Sequence, residues 1–270
     1  LLVRIIKVTE KLDVFWVALV GAVAALIATD FWSLFGGPLQ IPKDTIKAFY
    51  TAEALQALGW PAEIVTRVEL FTGMLVYDGF TVLLRAVLTS FLVLFLLFTR
   101  LTQVPDEAER ADVYTLAFGA TVGMCLMASA NHMLTVFLAV EMASVPSYVL
   151  AGMLKGQRKS SEAALKYAVY GAGAAGVMLY GISLIAGVLN TLHLPTMAVE
   201  LSKILEQGQG MDDGAAMVLA LGGLMLGVGL AFKLSAVPFH FWCPDVFEGA
   251  SAEVAAFLSI ASKAGALALL

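Results

Sequence analysis

Several stretches of this 270-residue chain run for about 20 residues almost without a charge, long enough to cross a hydrocarbon slab of roughly 30 Å. Backbone groups in lipid must find their hydrogen bonds within the segment or in a closed barrel, so such stretches are helices or barrel strands. Their length, and the lack of an apolar/polar alternation with period two, select helices. Composition excludes a soluble domain. Hydrophobic residues make up 60% of the chain and charged residues 14%, against roughly half and a quarter in soluble proteins. One core could not cover that much apolar surface. The expected fold class is therefore all-α, a polytopic transmembrane helix bundle.

Seven spans are expected, at about 14–35, 75–99, 112–130, 133–154, 163–189, 214–242 and 252–270. The long loop from Gly36 to Thr72 contains "TIKAFYTAEALQALGW", which reads as an amphipathic helix lying at an interface. "KGQRKSSEA" is a short basic connection in which Ser160 or Ser161 is placed to cap the next helix. "NTLHLPTMAVELSKILEQGQGMDD" is a second, partly amphipathic connection. Counting cations by side puts Arg4, Lys7, Lys11, Arg100, Arg110, Lys155, Arg158 and Lys159 on one face. The other face holds Lys43, Lys47, Arg67 and Lys203. The positive-inside rule then turns the N-terminal side to the cytoplasm or matrix. GxxxG spacings at Gly119/Gly123 and Gly223/Gly227, and the glycine-rich "YGAGAAG", mark surfaces where helices approach closely.

The sequence offers no metal, haem, iron–sulfur or dinucleotide signature, and Cys125 and Cys243 read as two buried free thiols. No cofactor is expected in this chain, lipids are its surroundings, and no nucleic-acid partner is expected. The chemistry lies instead in charges that lipid disfavours. An ionisable residue at mid-bilayer costs about 2.5–3.5 kcal/mol on insertion scales. Glu141 in "LTVFLAVEMASVPSYVL" is too short to reach an interface, and Lys233 in "VGLAFKLSAVPFHFW" is near mid-span. Lys263 in "FLSIASKAGALALL" is flanked by apolar residues, whereas Lys166 lies one turn inside its helix. Asp78 and Arg85 read as a structural pair, Asp30 as interfacial, and His132 and His193 as structural histidines at span edges.

One acid and three lysines on four spans have a shared use. Desolvation lowers a buried lysine's proton affinity and a nearby carboxylate raises it, so the lysine can take and release a proton. Neutralising Glu141 would then change the proton affinity of Lys233. Pro238 is expected to break the Lys233 helix and free carbonyls beside it, and broken helices in membranes line polar cavities. The residues thus point to a proton or cation path rather than a substrate pocket.

Five blocks, "MLVYDGFTVLLR", "VEMASVPSYVLAGM", "EAALKYAVYGA", "GLAFKLSAVPFHFWCPDVFEGA" and "SIASKAG", occur in this order from about Leu70 to Leu270. They resemble the antiporter-like membrane subunits of respiratory complex I, and "EMASVPSYVL" with "FHFWCPDVFEGA" is most similar to the N subunit, chain 2 in mitochondria. The resemblance implies two inverted five-helix repeats, a Glu141–Lys233 pair that modulates proton uptake, and Lys166 and Lys263 extending the path on either side. His240 falls in the matching motif as a lining residue. It also implies other membrane-arm subunits as partners, with NADH, FMN, iron–sulfur clusters and quinone handled by other subunits. The chain divides on this basis into 1–73 (one span and the long loop), 74–111 (a span and an acidic turn) and 112–270 (the first repeat).

Two departures from the pattern stand out. One span precedes "YDGF" where bacterial members usually have two, and the second repeat with its own lysine is absent from these 270 residues. A subunit split between two polypeptides and housed in the mitochondrial inner membrane is expected on that ground, with a second chain supplying the remaining half. A truncated chain of the bacterial cytoplasmic membrane is the alternative. The expected function is a proton-translocating subunit of NADH:ubiquinone oxidoreductase. The competing expectations are a related cation/proton antiporter or membrane-bound hydrogenase subunit, and a structural subunit that no longer pumps.

Overall fold

The computed structural model describes residues 13–29, 68–104, 106, 109–154, 156–206 and 213–270. The interfacial helix expected in the long loop, Asp30, and the cations Arg4, Lys7, Lys11, Lys43, Lys47, Arg67 and Lys155 lie outside the described residues. The elements in chain order are α1 (Val14–Ala28), β1 (Val68–Leu70), β2 (Leu75–Tyr77), α2 (Gly79–Thr102), α3 (Arg110–Ser129), α4 (Met133–Ala151), α5 (Arg158–Leu189), α6 (Leu194–Glu206), α7 (Asp213–Leu234), α8 (Trp242–Gly249) and α9 (Ala252–Leu267). Among the described residues, α2, α3, α4, α5 and α7 are long and apolar enough to cross a membrane. The first and last expected spans correspond to the shorter α1 and α9, of 15 and 16 residues.

Boundaries shifted where polar residues take part in helix ends. The second span starts at Gly79 rather than 75, because Leu75–Tyr77 pairs antiparallel with Val68–Leu70 in a small hairpin that apolar patterning alone does not reveal. Asp78 is not paired with Arg85. Its carboxylate accepts from the Thr81 N–H at 2.8 Å while Thr81 Oγ1 accepts from the Asp78 N–H at 3.0 Å, a reciprocal capping box. Arg85 instead donates to Ser129 Oγ at 3.0 Å and lies over the Tyr77 ring. The next discrepancy is in α5, which begins at Arg158, five residues before the expected 163. Its charged first turn extends past the apolar segment, and Ser160 does not cap it. That hydroxyl is buried and donates to Ala151 O at 3.0 Å, tying α5 to the end of α4.

The hydrophobic core lies where α2, α3, α4, α5, α8 and α9 meet, around Leu92, Met124, Ala143, Tyr167, Val246 and Phe257. α1 docks on α2 through an Asp13–Arg100 ion pair at 2.9 Å and the Arg100 guanidinium over Phe15. Glycines set the closest approaches, though not all those expected. A Cβ on Gly123 would run into the backbone of Ala143 and Met142, so α3 and α4 touch there as the spacing implied. On α7 the expected pair Gly223/Gly227 faces open space. Gly222 and Gly229, two turns apart, make the contact instead, against Ile185 and Gly181 and against Met178 of α5. A contact seven residues apart keeps one face of a 3.6-residue helix, which the GxxxG reading overlooked.

Gly123→Ala is expected to lower the thermal stability of the bundle by about 1–3 kcal/mol through overpacking, while Gly223→Ala is expected to leave it unchanged. Unfolding of the two variants in the same lipid nanodiscs checks both. Equal stability of the two would contradict the assigned contacts.

Candidate functional site

The register of α5 against α7 places the end of α7 deep in the bundle. Gly229 meets Met178 and Gly222 meets Gly181 across the antiparallel pair, so Leu234 is level with about the fourteenth residue of α5. That is about 20 Å from the α5 N-terminus at 1.5 Å per residue. The helix stops there through its own backbone. Ser235 takes a left-handed conformation (φ 58°), its N–H donates to Phe232 O at 3.0 Å, and the Ala236 N–H donates to Ala231 O at 2.8 Å. These two bonds are the pair of a Schellman cap, with serine where glycine is usual.

Pro238 was expected to break the helix and leave carbonyls free beside Lys233. The helix instead ends four residues earlier, and the carbonyls of Ala231 and Phe232 are taken by the cap. The Trp242 indole N–H adds a second donor to Phe232 O at 3.1 Å, so the first residue of α8 ties the short helix to the end of α7.

Lys233 occupies the last full turn of α7 and is 2% exposed. Its ammonium donates to Ser144 Oγ at 3.0 Å, and the Ser144 hydroxyl donates to Val140 O at 2.6 Å. Glu141 lies one turn before Ser144 on α4, a spacing that puts both on the same face. Glu141, Ser144, Tyr148, Gly171, Phe232 and Lys233 line one narrow cavity with room for about one water molecule. Glu141 and Lys233 form no ion pair within 4.0 Å. The expected Glu141–Lys233 partnership is thus a shared cavity, with a serine hydroxyl as the direct contact of the lysine. A buried cation needs such a polar contact, because an unpaired charge in an apolar interior is costly.

The remaining sequence-derived residues are not gathered into that cavity. Lys166 is about one-third exposed on α5 and pairs with Glu162 Oε1 at 2.8 Å and Asp245 Oδ2 at 3.0 Å. Beside it, Lys159 of α5 pairs with Glu248 of α8. Next along the chain from Lys166, Tyr167 stacks on Trp242 at 4.3 Å and packs edge-on against Tyr148 at 4.7 Å. Phe232, the residue before Lys233, completes this aromatic cluster. Lys263 of α9 is half-buried with its ammonium over the Phe247 ring at 5.8 Å. His240, in the turns after Pro238, stacks on Phe241, and its Nδ1 is buried without a hydrogen-bond partner among the described residues.

Ser144, Tyr148 and Trp242 were not singled out from the sequence. Ser144 could have been found from its i+3 spacing to Glu141. The other two read as ordinary aromatics until the register of α4, α5 and α7 is known. Gly171 belongs with them, since a Cβ there would strike the Tyr148 hydroxyl.

A sequence profile described as NADH:quinone oxidoreductase/Mrp antiporter, transmembrane, matches residues 130–270. The NADH-quinone oxidoreductase subunit N 2 of Sorangium cellulosum is 40% identical over 206 residues, covering 74% of this chain and 40% of that protein. The subunit N of Chlorobium chlorochromatii is 40% identical over 207 residues, covering 75% of this chain and 38% of its own length. The subunit N 2 of Symbiobacterium thermophilum is 36% identical over 261 residues, covering 96% and 47%. The chain therefore spans less than half the length of these curated relatives. Among solved structures, a chain of respiratory complex I from Thermus thermophilus with bound aureothin aligns with a TM-score of 0.61 at 27% identity, covering 95% of this chain and 51% of that one. A chain of an archaeal membrane-bound sulfane sulfur reductase shares the fold with a TM-score of 0.70 at 20% identity, covering 96% and 48%.

Ser144→Ala removes the direct contact of a buried cation and is expected to lower stability by about 1.5–3 kcal/mol, while Ser144→Thr keeps the hydroxyl and most of the stability. Thermal unfolding in nanodiscs measures both. An alanine variant as stable as the parent would show that Ser144 does not hold Lys233.

Proposed function

The chain belongs to the NADH:quinone oxidoreductase/Mrp antiporter transmembrane family, and from that membership we propose that it is the relay-bearing half of a proton-translocating membrane-arm subunit of NADH:quinone oxidoreductase. The observation that carries this reading is the fully buried Lys233 at a helix end inside the bundle, sharing a narrow cavity with Glu141. The subunit N relatives and the complex I neighbour support the same assignment.

In this reading Lys233 holds the proton. Glu141 sets how readily it is held, and Ser144 fixes the ammonium so that it does not collapse onto the carboxylate. Loss of a proton from Lys233 leaves a neutral amine that a serine hydroxyl can still satisfy, and regain of the proton restores the cation. Lys166, with Glu162 and Asp245, forms the charged face from which protons enter. The aromatic cluster of Tyr167, Trp242 and Phe232 lies next to both lysines in sequence and closes the bundle against leakage. Lys263 carries charge onward to the remaining half of the family fold, whether that half continues on the same polypeptide or comes from a partner. His240 lines the approach after the break.

Residues 112–270 form the first five-helix repeat, a division supported by α3, α4, α5, α7 with α8, and α9. The segments 1–73 and 74–111 precede it. Other membrane-arm subunits are its partners. NADH oxidation, flavin, iron–sulfur clusters and quinone reduction belong to other subunits of the complex, and their redox energy reaches this chain through contacts with them. Of the two settings expected from the sequence, the bacterial sources of the relatives favour the bacterial cytoplasmic membrane over the mitochondrial inner membrane.

Lys233→Ala in the assembled complex is expected to reduce proton pumping and coupled quinone reduction several-fold, with NADH oxidation by artificial acceptors intact. Glu141→Gln is expected to cause a related defect, and the double variant to be no worse than the more severe single one, because the two act as a unit. Unchanged pumping in Lys233→Ala would remove the lysine from the path.

A further inference from the structure

The cavity around Lys233 is lined by four polar side chains, those of Glu141, Ser144, Lys233 and Tyr148. The first three have a place in the proton path, and Tyr148 has none so far. Tyr148 continues the α4 stripe, four residues after Ser144 and seven after Glu141, spacings that keep one helix face. It is also the member of the stripe nearest the charged face. The end of α4 meets the start of α5, since Ser160 Oγ donates to Ala151 O at 3.0 Å and a Cβ on Gly152 would lie 2.7 Å from that of Ala164. Lys166 follows Ala164 by two residues, and Tyr148 precedes Gly152 by about one turn. The order from the charged face inward is therefore Lys166, Tyr148, and then Ser144 with Lys233.

The phenol is wedged between helices. Gly171 lies on α5 about 7.5 Å beyond Lys166, and a Cβ there would strike the Tyr148 hydroxyl, so the glycine is what admits it. On another side Tyr167 packs edge-on against the Tyr148 ring at 4.7 Å and is itself stacked on Trp242 at 4.3 Å. Swinging the Tyr148 ring aside would require α5 to move, whereas turning its hydroxyl hydrogen disturbs no packing. The Tyr167 hydroxyl offers no substitute, because it is sealed in the core and does not line the cavity.

Building on the proton path through Lys233, we propose that the Tyr148 hydroxyl is the relay between the charged face and the lysine. In each transfer a proton from water on the Lys166 side is accepted by an Oη lone pair as the hydroxyl's own proton leaves toward the cavity. That proton ends on the neutral amine of Lys233, directly or through the one water molecule for which the cavity has room. One O–H bond forms as another breaks, so the tyrosine stays neutral and the added charge sits on Lys233. Rotation of the new hydrogen about the Cζ–Oη bond resets the relay. Protons thereby cross the aromatic cluster that closes the bundle without opening it.

The test uses the assembled complex in proteoliposomes, with Lys233→Ala measured beside the tyrosine variants. Tyr148→Phe removes the hydroxyl and keeps the ring. It is expected to lower proton pumping by about tenfold or more, with thermal stability and NADH oxidation by artificial acceptors unchanged. Meta-fluorotyrosine at position 148 keeps ring and hydroxyl, and is expected to pump at the parent's maximal rate. Parent-level pumping in Tyr148→Phe beside an impaired Lys233→Ala would overturn the relay and leave the proposed function standing. Parent-level pumping in both would remove the function as well. Equal losses in the phenylalanine and fluorotyrosine complexes would assign Tyr148 a packing role and overturn the relay. If Tyr148→Phe does not assemble, the fluorotyrosine complex decides alone. Fluorine makes the phenol more acidic, so the pH profile of pumping is expected to move to lower pH, and a profile superimposable on the parent's overturns the proposal.

Discussion

A lysine ammonium buried in an apolar helix bundle must be held by something polar, and in this chain that something is the Ser144 hydroxyl. Much of the architecture serves this contact. α7 has to present Lys233 at depth, so it ends there with a Schellman cap at Ser235 instead of continuing through the bundle. α4 has to offer a hydroxyl and a carboxylate on one face, which the i, i+3 spacing of Glu141 and Ser144 achieves. α5 has to come close to both, and Gly171, Gly181 and the facing Gly222 and Gly229 remove the side chains that would hold it off. The result is a charge that is solvated by the protein yet kept apart from its counter-charge. Such a separation matters for proton movement, because a tight ion pair would fix the proton on the lysine.

The ends of the bundle differ in kind. At the Lys166 end, charged residues of α5 and α8 form paired, largely exposed clusters that water can exchange with. At the other end the hairpin, the α3–α4 link and the α5–α6 link close over a buried carboxylate and amide and a partly exposed imidazole. Trp242 connects the first end to the middle by bonding the last turn of α7. The second end is joined to the middle by α4, which starts at the junction and carries Glu141. Helices with polar groups at both ends and a narrow cavity between them suit the charge transfer proposed for this chain.

Much of this was legible in the sequence. Apolar stretches near bilayer length give the helices, and the few charges inside them single out Glu141 and Lys233, because lipid tolerates such residues only where they have partners. The five ordered blocks carry the family. What sequence could not supply was the register between helices. Without it, Gly222 and Gly229 look no different from Gly223 and Gly227, Ser144 is one small polar residue among several, and Trp242 is one more aromatic. Proline also drew attention away from the true helix end, which backbone hydrogen bonds at Ser235 and Ala236 determine. The hairpin was missed because three-residue strands carry almost no periodic signal. Asp78 looked like an ion-pair partner until the capping box with Thr81 accounted for it.

The central claim is that Lys233 exchanges a proton under the electrostatic control of Glu141 while remaining bound to Ser144. Its most direct test is the 15N signal of the Lys233 ammonium, followed through a pH titration in nanodiscs for the unsubstituted chain and for Glu141→Gln. The account predicts that Lys233 loses its proton within the titrated range and that the midpoints of the two curves differ. Superimposable curves, or a lysine that stays charged throughout, would contradict it.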